Sequence, residues 1–350
     1  MFAAETRPVA GPVSDALNKE GLVTWKSIAG PIEPFLEAVA ARLARQVREF
    51  DPDIAPYAEY TLTGQGKQLR PALVVLSARA IGRVTDFHVT VAVIIEMVHL
   101  ATLAHDDVMD EAEVRRGRPT LAANWGNEIA VLFGDCLFAQ ALKLAASFPT
   151  PEICRAVAMA TNTVCSGEIL QTRQRRNFQF TQAEYFKVLE MKTAELFALS
   201  CDLGACLAAA PAPQRAALRE FGLALGTAYQ VYDDCLDLFG SEAAAGKSLG
   251  TDLAKGKLTL PVLCFWEHAS ALEKSEFQSL VGNWDLAALN PVIELLSRYD
   301  ALEESLAVIE QYVDRARQAL NVLPDTAERG GLNQLADFLA RQANLLGARV

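Results

Sequence analysis

The sequence predicts an all-α protein folded as a single large helical bundle, and three observations carry that prediction. Apolar residues recur at helical spacing in nearly every stretch between proline and glycine breakers. No stretch alternates apolar and polar residues as a half-buried strand would. Residues 86–110 are apolar almost all round, through Val89, Val91, Val93, Ile94, Ile95, Met97, Val98, Leu100 and Leu103, which marks a helix enclosed by others. A chain of 350 residues, 51% of them hydrophobic, supplies enough apolar surface for one extended core.

Residues 1–29 read as an N-terminal arm, partly disordered, with Pro8, Gly11 and Pro12 as breakers and a short helix at 13–20. Residues 30–350 form the helical domain. From Ile32 to Phe50, the spacing of Phe35, Leu36, Val39, Leu43 and Val47 is helical, and the loop DPDIAP follows. In TLTGQGKQLRP, Gly64 and Gly66 let a ligand approach the backbone, while Lys67 and Arg70 share one face of the helix that begins there. Within the apolar 86–110 helix, Glu96 and His99 need partners; His99 reads equally as a core histidine or a ligand contact, and His105 as a structural hydrogen-bonder rather than a base. Helices follow at 121–147, 152–176 and 182–209. Glu168, Gln171 and Arg175 share a face of the second, and Lys192 and Thr193 lie in an apolar part of the third, where a buried ammonium requires an anion. Beyond residue 258, four or five shorter helices, including 286–299 and 302–320, make an outer layer.

A net charge of −11 and a pI near 5.0 exclude a nucleic-acid partner, because no basic face is available to replace counterions. Positive charge is local instead, at Lys67/Arg70, Arg115/Arg116/Arg118, Arg173/Arg175/Arg176 and Lys247/Lys255/Lys257, which suits a small anionic ligand. The seven cysteines form no CxxC pair and no cluster with histidine, so they read as buried small hydrophobes in a reducing compartment. The N-terminus lacks a basic region followed by an apolar core, and no run of 18 uncharged apolar residues suggests a membrane span. A cytoplasmic location is the expectation.

Chemistry concentrates at two acidic clusters. Asp106, Asp107 and Asp110 close the apolar 86–110 helix, and at about 100° per residue they fall on one side of it. The C-terminal end of a helix favours cations and like charges there repel, so a bound cation is expected between them. Hard oxygen ligands without nearby Cys or His point to Mg²⁺, which reaches protein through one or two carboxylates plus substrate phosphates. The same spacing returns in Asp233, Asp234 and Asp237, followed by Lys247, Asp252, Lys255 and Lys257. Two such clusters, each followed by basic residues, imply two walls of one cavity that holds a polyanion through metal ions.

In combination these motifs resemble the trans-type polyprenyl diphosphate synthases of the isoprenoid synthase family, along roughly residues 60–265. GKQLRP resembles that family's GGKRxRP, HDDVMDEAEVRRG its first Asp-rich motif, MKTAEL its KT motif, and YQVYDDCLD with the later GKSLGTD its second. The resemblance implies a helical bundle with a central diphosphate-binding cavity, about three Mg²⁺ ions and a homodimer. Asp106, Asp107, Asp110, Asp233, Asp234 and Asp237 become the candidate metal ligands. Arg115, Lys192, Thr193, Gln230, Lys247 and Lys257 would hold the allylic diphosphate, and Lys67, Arg70, His99 and Arg116 isopentenyl diphosphate. Gln65 and Gln68 depart from the family pattern, and the second removes a charge near the isopentenyl site. The implied reaction is ionisation of the allylic diphosphate, attack by the isopentenyl double bond, and loss of a proton.

Short-chain members of the family often carry an aromatic residue five positions before the first Asp or insert two residues into the motif. This chain has Ala101 there and no insertion, so the tunnel should continue past Ala101, Thr102, Val98 and Met97, with Phe138 as a candidate floor. The expected product runs from geranylgeranyl to octaprenyl or longer. A class I terpene cyclase would not need Lys67 and Arg70 and carries a different second motif. A non-catalytic regulatory subunit would have lost aspartates from one cluster.

Overall fold

The computed structural model describes residues 24–64, 66–242, 248–282 and 284–347. The expected helix at 13–20, Gln65 and Lys247 lie outside them. The first half comprises α1 (Trp25–Ala29), α2 (Glu33–Gln46), α3 (Ala55–Leu62), α4 (Leu69–Ile81) and α5 (Asp86–Met109). A short hairpin, β1 (Val114–Arg115) and β2 (Arg118–Pro119), leads into α6 (Leu121–Trp125), α7 (Asn127–Ala146) and α8 (Glu152–Arg173). Next come α9 (Gln182–Leu189), α10 (Glu195–Leu207) and α11 (Ala212–Phe239). Helices Thr251–Ala254, Leu260–His268, Ala271–Gly282, Leu289–Ser297, Ala301–Ala319 and Ala327–Gly347 complete the chain.

α5 is central because its apolar residues are not confined to one stripe: Val91, Ile94, Ile95, Met97, Val98 and Ala101 are all buried, and it packs against α7, α4, α10 and α2. α10 packs on both α11 and α4, and α11 on Ala301–Ala319, with Ala327–Gly347 lying over Ala301–Ala319 and α4. Side chains at the helix starts fix where these rods begin. Thr181 and Glu184 bond reciprocally at the start of α9, and Arg42 of α2 holds Asp86 in the first turn of α5 at 2.7 Å, where the dipole favours an anion.

Several elements differ from expectation. Residues 25–29 are not part of an arm: Thr24 and Ser27 form a capping box and Ile28 is buried, so this segment packs as a helix. The expected 121–147 helix is broken at Gly126, whose φ of +88° ends one helix and starts the next. Arg116 and Gly117, with φ of +52° and +71°, make the two-residue hairpin loop that the twist of paired strands requires, a feature too short for strand periodicity to reveal. Between α9 and α10 the chain forms a π-helical turn, Glu190–Ala194. α5 and α7 are long and apolar enough to cross a membrane by length and composition, but neither is a run of 18 uncharged residues, and α5 is the core helix of the bundle. Cys201, Cys235 and Cys264 are buried as expected, whereas Cys165 is exposed.

Candidate active site

The helices enclose a cavity of about 1780 Å³ whose walls include Asp106 and Asp110 from α5 and Asp233 and Asp234 from α11. Asp107 and Asp237 do not line it. Asp107 is turned about 100° from Asp106 and is buried, with Arg115 Nε donating to its Oδ1 at 2.7 Å. Asp237 is taken by the returning chain: the Thr251 hydroxyl donates to Oδ1 at 2.7 Å and the Asp252 amide to Oδ2 at 3.0 Å. Of the three aspartates expected as ligands in each cluster, two line the cavity and the third is held by other partners.

Lys192 and Thr193 both reach the cavity, because the wider π-helical turn brings these neighbours closer to one face than an α-helix would. Gly167 of α8 permits this packing, since a Cβ there would lie 2.9 Å from the Lys192 backbone nitrogen. The Lys192 ammonium lies 3.5 Å from Asp106 Oδ2, pairs with Glu168 and donates to Gln171 Oε1 at 2.9 Å. Burial works against this ammonium, but Asp106 and Glu168 more than offset it and hold its pKa above the usual lysine value. Thr193 donates to Gln230 Oε1 at 2.7 Å, and Gln230 Nε2 to Asp234 Oδ1 at 2.8 Å.

Asp110 accepts from Arg175 Nη2 at 2.8 Å and from Lys257 Nζ at 2.6 Å. Burial opposes its ionisation, yet Lys257, Lys192 and Arg175 together hold its carboxyl below the ordinary range. Asp234 is the reverse case. Burial, with Asp252 adding to it, pushes that carboxyl well above the ordinary value, against hydrogen bonds from Tyr185 and Gln230. The Tyr185 hydroxyl sits 2.6 Å from Asp234 Oδ2, a contact sequence reasoning missed. Its available signal was that an aromatic hydroxyl in an apolar helix needs an acceptor.

Lys67, Arg70, His99 and Arg116 also line the cavity. Arg70 lies 5.1 Å from the centre of the Phe197 ring, and its Nε is buried without a partner among the described residues. Arg116 lies against Gly66, where a Cβ would come within 2.5 Å of its Nη1. Burial first, then Arg70, Arg116 and Arg115, keep the His99 imidazole neutral with a pKa well below the usual histidine value. Arg118 stacks 4.3 Å over the Tyr60 ring, whose hydroxyl donates to the Pro119 carbonyl, so the hairpin that carries Arg115 and Arg116 is anchored on α3.

The apolar part of the wall is drawn by Thr102, Leu103, Val131, Phe138, Val164 and Ile169. Met97, Val98 and Ala101 are fully buried away from it. From Asp106, position 101 lies about 140° round the helix and position 97 about 180°, whereas 102, 103 and 99 fall within about 60°. Thr102 and Phe138 of the expected length-setting residues therefore reach the cavity and the other three do not. His105 acts as expected of a structural residue, its Nε2 lying 3.0 Å from the Val131 carbonyl and its ring 5.7 Å from Phe138.

The acidic walls present oxygen donors, the set that suits hard Mg²⁺. Among the described residues, no three acidic, histidine or cysteine side chains converge to hold an ion alone, so an ion there would also draw ligands from a bound diphosphate.

A model of the polyprenyl synthetase family matches residues 51–296. The chain is 37% identical over 307 residues to heptaprenyl diphosphate synthase component 2 of Geobacillus stearothermophilus, covering 88% of this chain and 95% of that one. A crystal structure of a decaprenyl diphosphate synthase from Rhodobacter capsulatus matches with a TM-score of 0.85 at 33% identity, over 91% of this chain and 99% of the other. A polyprenyl synthase from Caulobacter crescentus CB15, solved with calcium and isoprenyl diphosphate, matches with a TM-score of 0.85 at 34% identity, over 93% and 99%.

Proposed function

We propose, from the premise that this chain belongs to the polyprenyl synthetase family and is a prenyltransferase, that it extends an allylic diphosphate with isopentenyl diphosphate to a medium or long product, geranylgeranyl or beyond. One observation carries this reading: a single cavity joins two acidic walls, a separate cluster of Lys67, Arg70, His99 and Arg116, and an apolar extension past Thr102 and Phe138. Its volume of about 1780 Å³ exceeds the ~300–1,000 Å³ of ordinary small-molecule pockets, which supports a growing hydrocarbon as occupant.

In this reading Asp106, Asp110, Asp233 and Asp234 hold Mg²⁺, with Lys192, Lys257, Arg115, Thr193 and Gln230 around the allylic diphosphate. Bound Mg²⁺ would supply charge stabilisation to the departing diphosphate. The Lys192 and Lys257 ammonium groups add to it as the carbon–oxygen bond breaks and its electron pair leaves with the diphosphate. Arg70, Lys67, Arg116 and neutral His99 orient isopentenyl diphosphate so that its double bond forms the new carbon–carbon bond. A proton then passes to the released diphosphate and a new allylic double bond remains.

Assembly as a homodimer is supported by large apolar side chains left exposed outside the cavity, Leu132 of α7 at 61% and Met159 of α8 at 65%. The relative named component 2 favours a second reading of the same side chains, docking a different chain. The free cysteines support a cytoplasmic site of action.

The test is incubation of purified protein with labelled isopentenyl diphosphate, Mg²⁺ and dimethylallyl, geranyl or farnesyl diphosphate, followed by chain-length analysis. A product ladder reaching geranylgeranyl or further is expected, lost with chelator and restored by Mg²⁺. No incorporation by the protein alone, but incorporation after adding a partner chain, would replace the homodimer with the heteromeric reading.

A further inference from the structure

We infer that Arg175 is a positioning residue for the metal-binding carboxylate of Asp110, acting from outside the cavity; this rests on the metal reading of the site proposed above. The guanidinium does not line the cavity. Nη2 donates to Asp110 Oδ1 at 2.8 Å, and Nη1 reaches the Met109 carbonyl at 3.4 Å. One rigid fork thus spans the last carbonyl of α5 and the carboxylate that follows it. The position also supplies a cation where the helix dipole needs one.

The segment carrying Arg175 is built to hold still. Arg176, at φ +59°, donates its amide to the Gly256 carbonyl at 2.7 Å, and Gly256, at φ +72°, has no room for a Cβ against the Arg176 side chain. Phe178 stacks on Trp266 with ring centres 4.7 Å apart, and Phe180 is buried. Lys257, the residue after Gly256, reaches Asp110 Oδ2 at 2.6 Å. Two segments tied by a backbone hydrogen bond therefore address the two oxygens of one carboxylate. Lys257 lines the cavity and Arg175 does not, so the two cations differ in role. Arg175 fixes Oδ1 and the plane of the carboxylate, and Oδ2 is the oxygen presented to the cavity and its ligands.

A hydrogen-bonding partner that orients a metal-ligating group is typically worth about 10–100-fold in metal affinity. Arg175→Gln is therefore expected to raise the Mg²⁺ concentration for half-saturation about ten-fold or more. The readout is calorimetric titration of Mg²⁺ into protein holding inorganic pyrophosphate. Arg175→Lys should fall between the two, and the KM for isopentenyl diphosphate and the thermal midpoint of metal-free protein should stay at the wild-type values. Unchanged or tighter Mg²⁺ binding in Arg175→Gln would overturn the inference, tighter binding meaning that Arg175 competes with the ion. If Arg175→Gln does not fold, Arg175→Lys decides: weaker Mg²⁺ binding with an intact thermal midpoint supports the inference, and wild-type affinity overturns it. Absence of Mg²⁺ binding to the wild type with pyrophosphate would overturn the metal reading itself, and this inference with it.

Discussion

The acidic clusters of α5 and α11 share a spacing and differ in what surrounds them. On α5 each carboxylate has a cationic partner: Lys192 near Asp106, Arg115 on Asp107, and both Arg175 and Lys257 on Asp110. On α11 Asp234 accepts from a phenol and an amide, and Asp237 from a hydroxyl and a backbone N–H. α5 ends at its cluster, so the helix dipole and three carboxylates act together and must be countered by full charges. α11 continues to Phe239, and the donors just named on Asp234 and Asp237 carry no charge. The consequence appears in the two most telling groups, with Asp110 held below the ordinary carboxylate range and Asp234 pushed well above it. The contrast lies between these two groups and not between whole walls, since burial raises Asp106 and Asp107 as it does Asp234. The same five-residue pattern gives one carboxylate that its cations hold ionised and another that gains most from an arriving cation.

The largest effect that can break this contrast is on turnover. Asp110→Asn should lower kcat by about 10²–10³-fold, the scale of losing a group that stabilises transition-state charge, whereas Asp237→Asn should retain most activity and lose stability instead. Steady-state rates and urea denaturation of both variants separate the roles, and equal loss of kcat would show that Asp237 belongs to the chemistry. Next in size, Asp234→Asn should raise the thermal midpoint of metal-free protein at neutral pH while lowering activity, since it removes a charge that burial disfavours. A lowered midpoint would mean that the bonds from Tyr185 and Gln230 outweigh burial.

A smaller effect comes from the opposite end of α5. Burial lowers the His88 pKa below 6.5 despite its backbone hydrogen bonds. The Thr85 amide donates to Nδ1 at 2.9 Å, so the ring proton sits on Nε2, toward the Gly204 carbonyl. Below pH 6.5 the unfolded chain takes up a proton that the folded chain refuses, so stability falls as pH falls through that value. Urea midpoints between pH 8 and pH 5.5 should show this slope and lose part of it in His88→Gln. A slope that persists unchanged would return the acid sensitivity to the carboxylate clusters. The smallest change is in product distribution: Phe138→Ala should lengthen the product by opening the apolar wall, and unchanged chain length would remove Phe138 as its floor.

Much of this is legible in the sequence itself. The apolar run of α5, the repeated aspartates and the isolated lysines pointed to a helical cavity for a polyanion, because periodicity and charge are local properties of the chain. What escaped depends on how distant segments meet. Whether Asp107 or Asp110 faces the cavity is decided by Arg115 arriving from a hairpin and by Lys257 arriving from far along the chain. Asp237 looked like its counterpart until the chain returned at Thr251 to take its oxygens. Counting turns back from Asp106 puts Met97, Val98 and Ala101 below it, whereas rotation about the helix axis turns Met97 and Ala101 away and Val98 is buried outside the cavity wall.

The wide turn at Glu190–Ala194 takes up one residue more than the same length of α-helix would hold. Deleting a single residue there would let the rod close up into regular α-helix while α9 and α10 keep nearly their present alignment, because the widened turn absorbs the extra residue instead of passing it on as rotation. The loss would fall on the cavity wall: with one residue fewer, Lys192 and Thr193 would no longer both face it. Length in this stretch therefore governs the lining of the site more than the packing of the two helices it joins.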